Sequence, residues 1–416
     1  MANTKSGIKD NVFVGLDIGT TRIRAVVARK NPEEGIDILG VGNSVSTGIR
    51  KGVVVNIDAT VKAITHAVRE AERMSGVQIK SACVGIAGGH IKSFNSRGVI
   101  AVKQGEVSKS DITRARESAA AVNIPMGYEV LHVLPQQFIL DGQSEIKDPV
   151  GMSGVRLEVE VHIVTGAVSS AANITKSCAR AGIMVEDIFL EQLAASEAVL
   201  SDDEREIGVC LIDGGGGTTD MAVFNRGAVH HTAVLQIGGN NFTRDLMVGL
   251  STSENEAENI KLKHGCVWMD NVSAEEVVDV MSVGGRPPRK VGRPIMTQIL
   301  QSRADEVFTM LLSELKKREL VEVISSGIVL TGGMANLEGI EELAMSIMRI
   351  PVRVGRPVCV GGLSDIVSDP IYATAVGLAI LHAKKGHSSN VLSKGTEEKV
   401  FGNVLSRMKR WLEEFF

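Results

Sequence analysis

The chain has 416 residues, 44 % hydrophobic and 23 % charged, with a formal net charge of −4. That length and balance suit a globular protein with room for two halves around a cleft, while the charge and the 3 % aromatic content offer no basic or stacking surface for nucleic acid. No hydrophobic leader opens the sequence, no apolar run reaches the ~18 residues of a spanning helix, and the five cysteines are scattered with no CxxC pair, so buried thiols in a reducing cytosol are expected rather than disulfides or a zinc site.

In chain order, the first apolar run ends in Asp17-Ile18-Gly19-Thr20-Thr21, after which apolar and polar residues alternate. This reads as strand, tight turn, strand. The spacing of Val61, Ile64, Ala67, Val68 and Ala71 predicts a helix over 58–75 with Asp58 as N-cap, and 81–87 reads as a buried strand. From about 89 to 164 the pattern changes to strand (97–102), helix (110–122), strand (128–140), a loop, and strand (156–164), which is a small α+β module inserted into the first half. In its last strand Leu157, Val159, Val161 and Ile163 share one face, and Glu158, Glu160 and His162 the other. His132 and His162 are expected to be solvated, since no metal spacing accompanies them.

A helix over 171–181, a strand over 185–190 and a helix opening at Glu191 precede a second turn. There Val209-Cys210-Leu211-Ile212 runs into Asp213-Gly214-Gly215-Gly216-Gly217-Thr218-Thr219-Asp220 before strand resumes at Met221. N–H groups in such turns cradle phosphate oxygens. The candidate phosphate contacts are Gly19, Thr20 and Thr21 in the first turn and Gly215, Gly216, Gly217, Thr218 and Thr219 in the second. Asp17 and Asp213, at the strand ends, are the candidate holders of a hydrated Mg²⁺. Either turn alone is also consistent with a structural hairpin carrying a glycine bulge; the pair points to two similar halves closing on one nucleotide.

Helices over 242–250 and 253–264 follow, then a strand region over 271–283. The basic, proline-rich connector 282–294 is expected to be irregular, because each proline removes a backbone donor. After a long helix over 295–320, a strand meets Gly332 and Gly333 and then a helix over 337–348. Gly332, Gly333 and Met334 are candidate adenosine contacts, where a flat ring lies against the backbone, with Glu258 and Lys261 facing them; a plain strand-to-helix turn is the alternative. The small-residue stretch 369–379 reads as a close-packing helix of the kind that crosses between lobes. A polar linker leads to a terminal helix in which Val404, Leu405, Met408, Trp411, Leu412, Phe415 and Phe416 share one face beside Arg407, Lys409 and Arg410. That suits the interface of a membrane with anionic lipids, strengthened by avidity in a polymer; docking on the protein's own body or on a partner is the alternative.

The two Asp-Gly-Thr hairpins and the Gly-Gly turn match, in order, the phosphate and adenosine motifs of the actin–Hsp70–sugar kinase superfamily. Within it, His132-Val133-Leu134-Pro135-Gln136, Pro149 to Arg156, Lys263-His264-Gly265-Cys266, Ser282 to Arg289 and Gly327 to Gly333 resemble the FtsA family of bacterial cell-division proteins over nearly the whole chain. The resemblance implies an α/β, actin-like two-lobed ATPase fold with an inserted small α+β (1C) module and a C-terminal amphipathic helix. Its parts fall at 1–88 and 165–200 (subdomain 1A), 89–164 (1C), 201–239 and 307–383 (2A), 240–306 (2B), 384–401 (linker) and 402–416 (membrane helix). It further implies ATP and Mg²⁺ in the cleft, self-association into filaments and peripheral attachment to the cytoplasmic face of the inner membrane at the septum. Binding of the FtsZ C-terminal tail on 2B is also implied, as is contact of 1C with late division proteins such as FtsN. Arg286, Arg289, Lys290, Arg293 and Arg303 are the candidate positive charges for an acidic tail.

Gly214 stands where the superfamily's hairpin carries Ile, Leu or Val, and the missing core side chain is expected to loosen the hairpin by about 1 kcal/mol or more. Glu191 and Glu197 are the candidates to orient a water for hydrolysis, with turnover slow or absent and nucleotide acting mainly as a structural and polymerisation switch. Two alternatives share the fold: a pilus-assembly relative, which should lack the linker and tail, and a sugar kinase, which needs a positioned base and a sugar pocket that no motif supplies.

Overall fold

The computed structural model describes residues 12–31, 35–284, 286–358 and 360–385. The expected membrane-facing residues Val404, Leu405, Met408, Trp411, Leu412, Phe415 and Phe416, and nearly all of the linker, lie outside them.

Each glycine turn closes the first hairpin of its own sheet. In the first sheet Val12–Ile18, Arg22–Lys30 and Ile36–Val45 form an antiparallel meander. Ser81–Ile86 lies parallel beside its first strand, and Met184–Leu190 lies parallel beside that. The second sheet repeats the plan: Val209–Gly214, Thr219–Asn225 and Ala228–Leu235 form the meander, with Ile328–Thr331 and then Val352–Val354 in parallel. Cys210, Leu211 and Ile212 are wholly buried, as the unbroken apolar run requires of a strand covered on both faces. Helices Glu191–Val199 and Ala373–Lys385 pack together between the lobes, the first touching the second sheet and the second lying along Val12–Ile18. The small-residue stretch therefore does cross between halves. The approach is close enough that a Cβ at Gly15 would overlap the Ala375 carbonyl.

Helix Ile57–Ser75 buries Ala63, Ile64, Ala67, Val68 and Ala71. Its N-cap is Asn56, not Asp58. Asn56 is the last residue with extended backbone, and its side chain accepts from the Ala59 N–H, while Asp58 sits in the first turn.

The inserted module is a four-stranded sheet in the order Lys92–Ala101, Arg156–Ala167, Tyr128–Leu140, Gln143–Ile146, covered by helix Lys109–Ala120. The short strand Gln143–Ile146 lies within the expected loop, because Asp141 and Gly142, both at positive φ, fold the chain back on itself. Leu157, Val159, Val161 and Ile163 fill the module's own core as expected. The other face is not solvated. His162 is wholly buried between Asn95 Oδ1 (2.7 Å) and Thr232 Oγ1 (2.9 Å), and burial pushes its pKa down to about 3. His132 is buried as well and accepts from the Leu190 N–H at 3.1 Å. The reason is that the module leans on both lobes: Gln136 Nε2 donates to the Val229 and His230 carbonyls at 3.0 and 3.2 Å, and Ser93 Oγ to the Thr232 carbonyl at 2.9 Å. Alternation marks two faces but not what covers each.

In the second lobe the basic connector is only partly irregular. Arg289–Gly292 pairs antiparallel with Val277–Val280, and Pro287 and Pro288 fall in the turn, where no donor is needed. Helix Arg293–Lys317 follows directly, and before the second glycine turn a short capped helix, Asp202–Ile207, follows the helix that opens at Glu191, where none was expected.

Replacing Gly15 with Val forces the helix Ala373–Lys385 off its sheet and should lower unfolding stability by about 3 kcal/mol. Gly76→Ala should cost only about 1 kcal/mol, because Gly76 has open space around it and only a left-handed backbone to lose. Urea denaturation followed by circular dichroism measures both. Equal effects would contradict the packing described.

Candidate functional site

The ends of the two meanders face each other across a cleft of about 1030 Å³. Asp17 and Asp213 are the penultimate residues of the first strands of the two meanders, both more than nine-tenths buried. Gly19, Thr20 and Thr21 line one wall and Gly215, Gly216, Gly217 and Thr218 the other. The turns approach within side-chain contact: Thr21 Oγ1 lies 3.3 Å from Asn240 Oδ1 of the second lobe, and a Cβ on Gly216 would overlap that same hydroxyl. Gly216 itself is held by the start of the next helix, where the Asn240 N–H donates to its carbonyl at 2.8 Å. Thr20 Oγ1 accepts from the Gly52 N–H at 3.0 Å.

The far end of the cleft is lined by Glu258, Lys261, Gly332, Gly333 and Met334. Lys261 is buried and its ammonium is fully engaged, by the Gly239 carbonyl (3.1 Å), Thr243 Oγ1 (2.9 Å) and Glu258 (2.7 Å). It braces the start of helix Gly239–Gly249 behind the second glycine turn. Met334 explains Gly214. A Cβ at Gly214 would overlap the Met334 side chain, which is itself buried. The space the family's aliphatic residue would occupy is filled from the neighbouring strand end, so the expected hole does not exist.

Two of the sequence-derived candidates stand outside the cleft. Thr219 is wholly buried and donates to the Ile237 carbonyl at 2.8 Å, because it is already a strand residue whose side chain points into the sheet's far face. Glu197 is paired with Arg205 at 3.0 Å and with Lys384, two turns along the helix from the cleft. Glu191, by contrast, lines it. Among the cleft residues that escaped the sequence reading, Arg24, Tyr372 and Thr374 stand against the two aspartates. Arg24 lies 3.6 Å from Asp17 and over the Tyr372 ring, and Thr374 donates to Asp213 at 2.8 Å. Arg24 was findable: counting outward from the first turn pairs position 17 with position 24. Tyr372 and Thr374 were not, since only the tertiary fold brings them there.

A model described as cell division protein FtsA matches residues 210–377, and one described as the SHS2 domain inserted in FtsA matches residues 88–165. The cell division protein FtsA of Pseudomonas aeruginosa is 45 % identical over all of both chains. The chain belongs to the FtsA family of cell-division proteins. FtsA of Escherichia coli K12 is 37 % identical over 97 % of this chain and 98 % of its own. Among solved structures, a PilM–PilN type IV pilus biogenesis complex (TM-score 0.65, 15 % identity, 89 % of this chain and 98 % of that one) and MreB5 of Spiroplasma citri bound to ADP (TM-score 0.56, 16 % identity, 92 % and 100 %) share the fold. At those identities the likeness is one of architecture alone. The family relatives make this an actin-like cell-division protein rather than a pilus component.

The cleft of this FtsA-family chain carries a surplus of buried carboxylates. Burial pushes the Asp17 pKa up to about 6 against the pull of Arg24, with Asp213 adding repulsion. Burial likewise raises Asp213, and raises Asp220 to about 8 although Thr218 donates to it. Glu191 is raised well above the usual range by burial and then by the charges of Asp17, Asp220 and Asp213. Each of these groups holds its proton more tightly folded than unfolded, so each contributes stability at low pH that is lost as pH rises through its folded pKa. For Asp220 the window runs from about 3.8 to about 8. In nucleotide-free, metal-free protein, melting temperature should therefore decline more steeply in the wild type than in Asp220→Asn between pH 5 and 8. Parallel pH profiles would contradict the assignment.

Proposed function

We propose that the chain binds ATP with Mg²⁺ in the cleft, self-associates into filaments, and tethers FtsZ filaments to the cytoplasmic face of the cell membrane at the septum. Recruitment of later division proteins, such as FtsN, falls to the inserted module. The observation that carries the ATP reading is the pairing of two like turns, one from each sheet, across a single cleft whose other end is floored by a Gly-Gly turn. The solved MreB5 of the same architecture is bound to ADP. ATP phosphates would lie between Gly19–Thr21 and Gly215–Thr218, and the base against Gly332 and Gly333.

The acidic surplus fits a cation. Asp17 and Asp213 are held above their usual pKa by burial, and Arg24 is the nearest positive charge. Among the described residues no three His, Cys, Asp or Glu side chains converge to ligate a metal directly. The arrangement therefore suits Mg²⁺ that keeps its waters and shares the phosphates, neutralising the carboxylates when bound. Glu191 is the one hydrolysis candidate inside the cleft, and burial, with the charges of Asp17, Asp220 and Asp213, raises its pKa well above the usual carboxylate range. The reading remains one of slow or absent turnover, with nucleotide as a switch.

For the FtsZ tail, Arg286, Arg289 and Lys290 are exposed on the hairpin of the second lobe, beside exposed Val277, Met281 and Val283. Arg293 and Arg303 are already committed, Arg293 to Glu276 and Glu338 and Arg303 to Asp245 and Glu306. The docking charge then rests on the first three. Among the described residues no helix is long and apolar enough to cross a membrane. Attachment is assigned to segment 402–416 on its sequence pattern, peripheral and favoured by anionic lipid.

Deleting 402–416 should abolish co-sedimentation with anionic vesicles while ATP affinity is unchanged; persistent sedimentation would remove the anchor reading. Gly216→Val places methyl groups where Thr21 and the phosphates sit, and should weaken ATP binding more than about tenfold by calorimetry, a loss of at least about 1.4 kcal/mol. Unchanged affinity would remove the cleft reading. Charge reversal at Arg286 and Lys290 should weaken binding of an FtsZ tail peptide in a salt-sensitive manner, whereas no change would make the hairpin a structural element.

A further inference from the structure

Arg293 joins three segments that are far apart in sequence. Its Nε donates to the His264 carbonyl at 3.1 Å, its Nη1 to Glu276 Oε2 at 2.7 Å, and its Nη2 to Glu338. The side chain is only 15 % exposed, and all three nitrogens of its fork are engaged. Two of these partners belong to the walls at the far end of the cleft. His264 ends the helix that carries Glu258 and Lys261, between the lining residues Leu262 and Gly265, and Glu338 directly follows the lining residue Leu337. The walls are also joined by backbone, with the Val267 N–H donating to the Glu338 carbonyl at 2.8 Å.

The third partner closes the basic hairpin. Glu276 stands just before strand Val277–Val280, and Arg293 just after strand Arg289–Gly292. The pair is bonded twice, through the side chains and through the Arg293 N–H to the Glu276 carbonyl at 2.8 Å. One guanidinium therefore holds the far walls of the cleft together and pins the base of the hairpin to them. A planar fork makes three directed bonds from fixed positions, and a lysine ammonium at the same place does not.

We propose that Arg293 is a positioning residue that sets the spacing of the cleft walls at the base end and couples occupancy of the cleft to the order of the basic hairpin. The proposal rests on the cleft as an ATP site. A base wedged between the walls favours the arrangement in which Arg293 reaches both, which fixes the hairpin. By reciprocity, a ligand that orders the hairpin tightens the cleft by the same factor.

The test is hydrogen–deuterium exchange on the full-length chain and its Arg293→Gln and Arg293→Lys variants, with affinities for ATP and for inorganic tripolyphosphate. Without nucleotide, Arg293→Gln should speed exchange together at Val267 and in the strands at 277–280 and 289–292. In wild type, saturating ATP should slow exchange in those strands. In Arg293→Gln that response should vanish, with ATP weakened about tenfold and tripolyphosphate unchanged, and Arg293→Lys should restore only part. Loss of structure throughout would weaken both ligands alike, so the split separates positioning from general damage. Should Arg293→Gln not fold, Glu338→Gln keeps the shape of the site and carries the same expectations. A hairpin that responds to ATP equally in variant and wild type, or wild-type exchange there that ATP leaves unchanged, overturns the coupling. Wild-type protein that binds no ATP overturns the cleft reading instead, and the nucleotide-free comparison still decides the clamp: unaltered exchange at Val267 and in the hairpin overturns it.

Discussion

The Thr21 hydroxyl and the backbone of Gly216 stand so close across the cleft that no side chain fits between them. That approach is the constraint on which the rest of the molecule depends. It requires two hairpins that present their turns at the same end of two sheets, and the two meanders, each with two parallel strands beside it, deliver them there. It also requires the sheets to be held at a fixed spacing. Helices Glu191–Val199 and Ala373–Lys385 provide this, with Thr374 of the second helix reaching Asp213 across the interface. The inserted module adds a brace outside the cleft, bonded to strands of both lobes through His132, Gln136 and His162.

Bringing strand ends together this way concentrates carboxylates in a buried place. Asp17, Asp213, Asp220 and Glu191 are all buried there, Arg24 pulls on the first two, burial raises the whole set, and neighbouring carboxylates add to the rise of Asp17, Asp220 and Glu191. Such a cluster loses stability in the empty fold as pH rises. On the proposed function, a cation and the phosphates it accompanies would relieve that repulsion, so stability and ligand binding would be linked through the same groups.

Much of this was legible in the sequence because it is local. Both turns, the strand-to-Gly-Gly turn and the long strands and helix of the inserted module follow from residue type and period. What was not legible is non-local. Asp213-Gly214 looks like a missing core residue until Met334 arrives from a turn more than a hundred positions away to fill the space. His162 alternates onto a face that any isolated sheet would expose, and only the second lobe buries it. Thr219 reads as one of two equivalent threonines, yet the pleat turns Thr218 toward the cleft and Thr219 away from it. Arg293 and Arg303 read as free charge in a basic run, and each is neutralised by acids distant in the chain.

The account stands on two turns gripping one nucleotide. The most direct measurement is a crystal structure of the chain with Mg²⁺ and a non-hydrolysable ATP analogue. The expected result is that the β- and γ-phosphates lie between Gly19–Thr21 and Gly215–Thr218, the metal within water-bridged reach of Asp17 and Asp213, and the base against Gly332 and Gly333. Phosphates held by one turn alone, or a base bound outside the far walls, would contradict it.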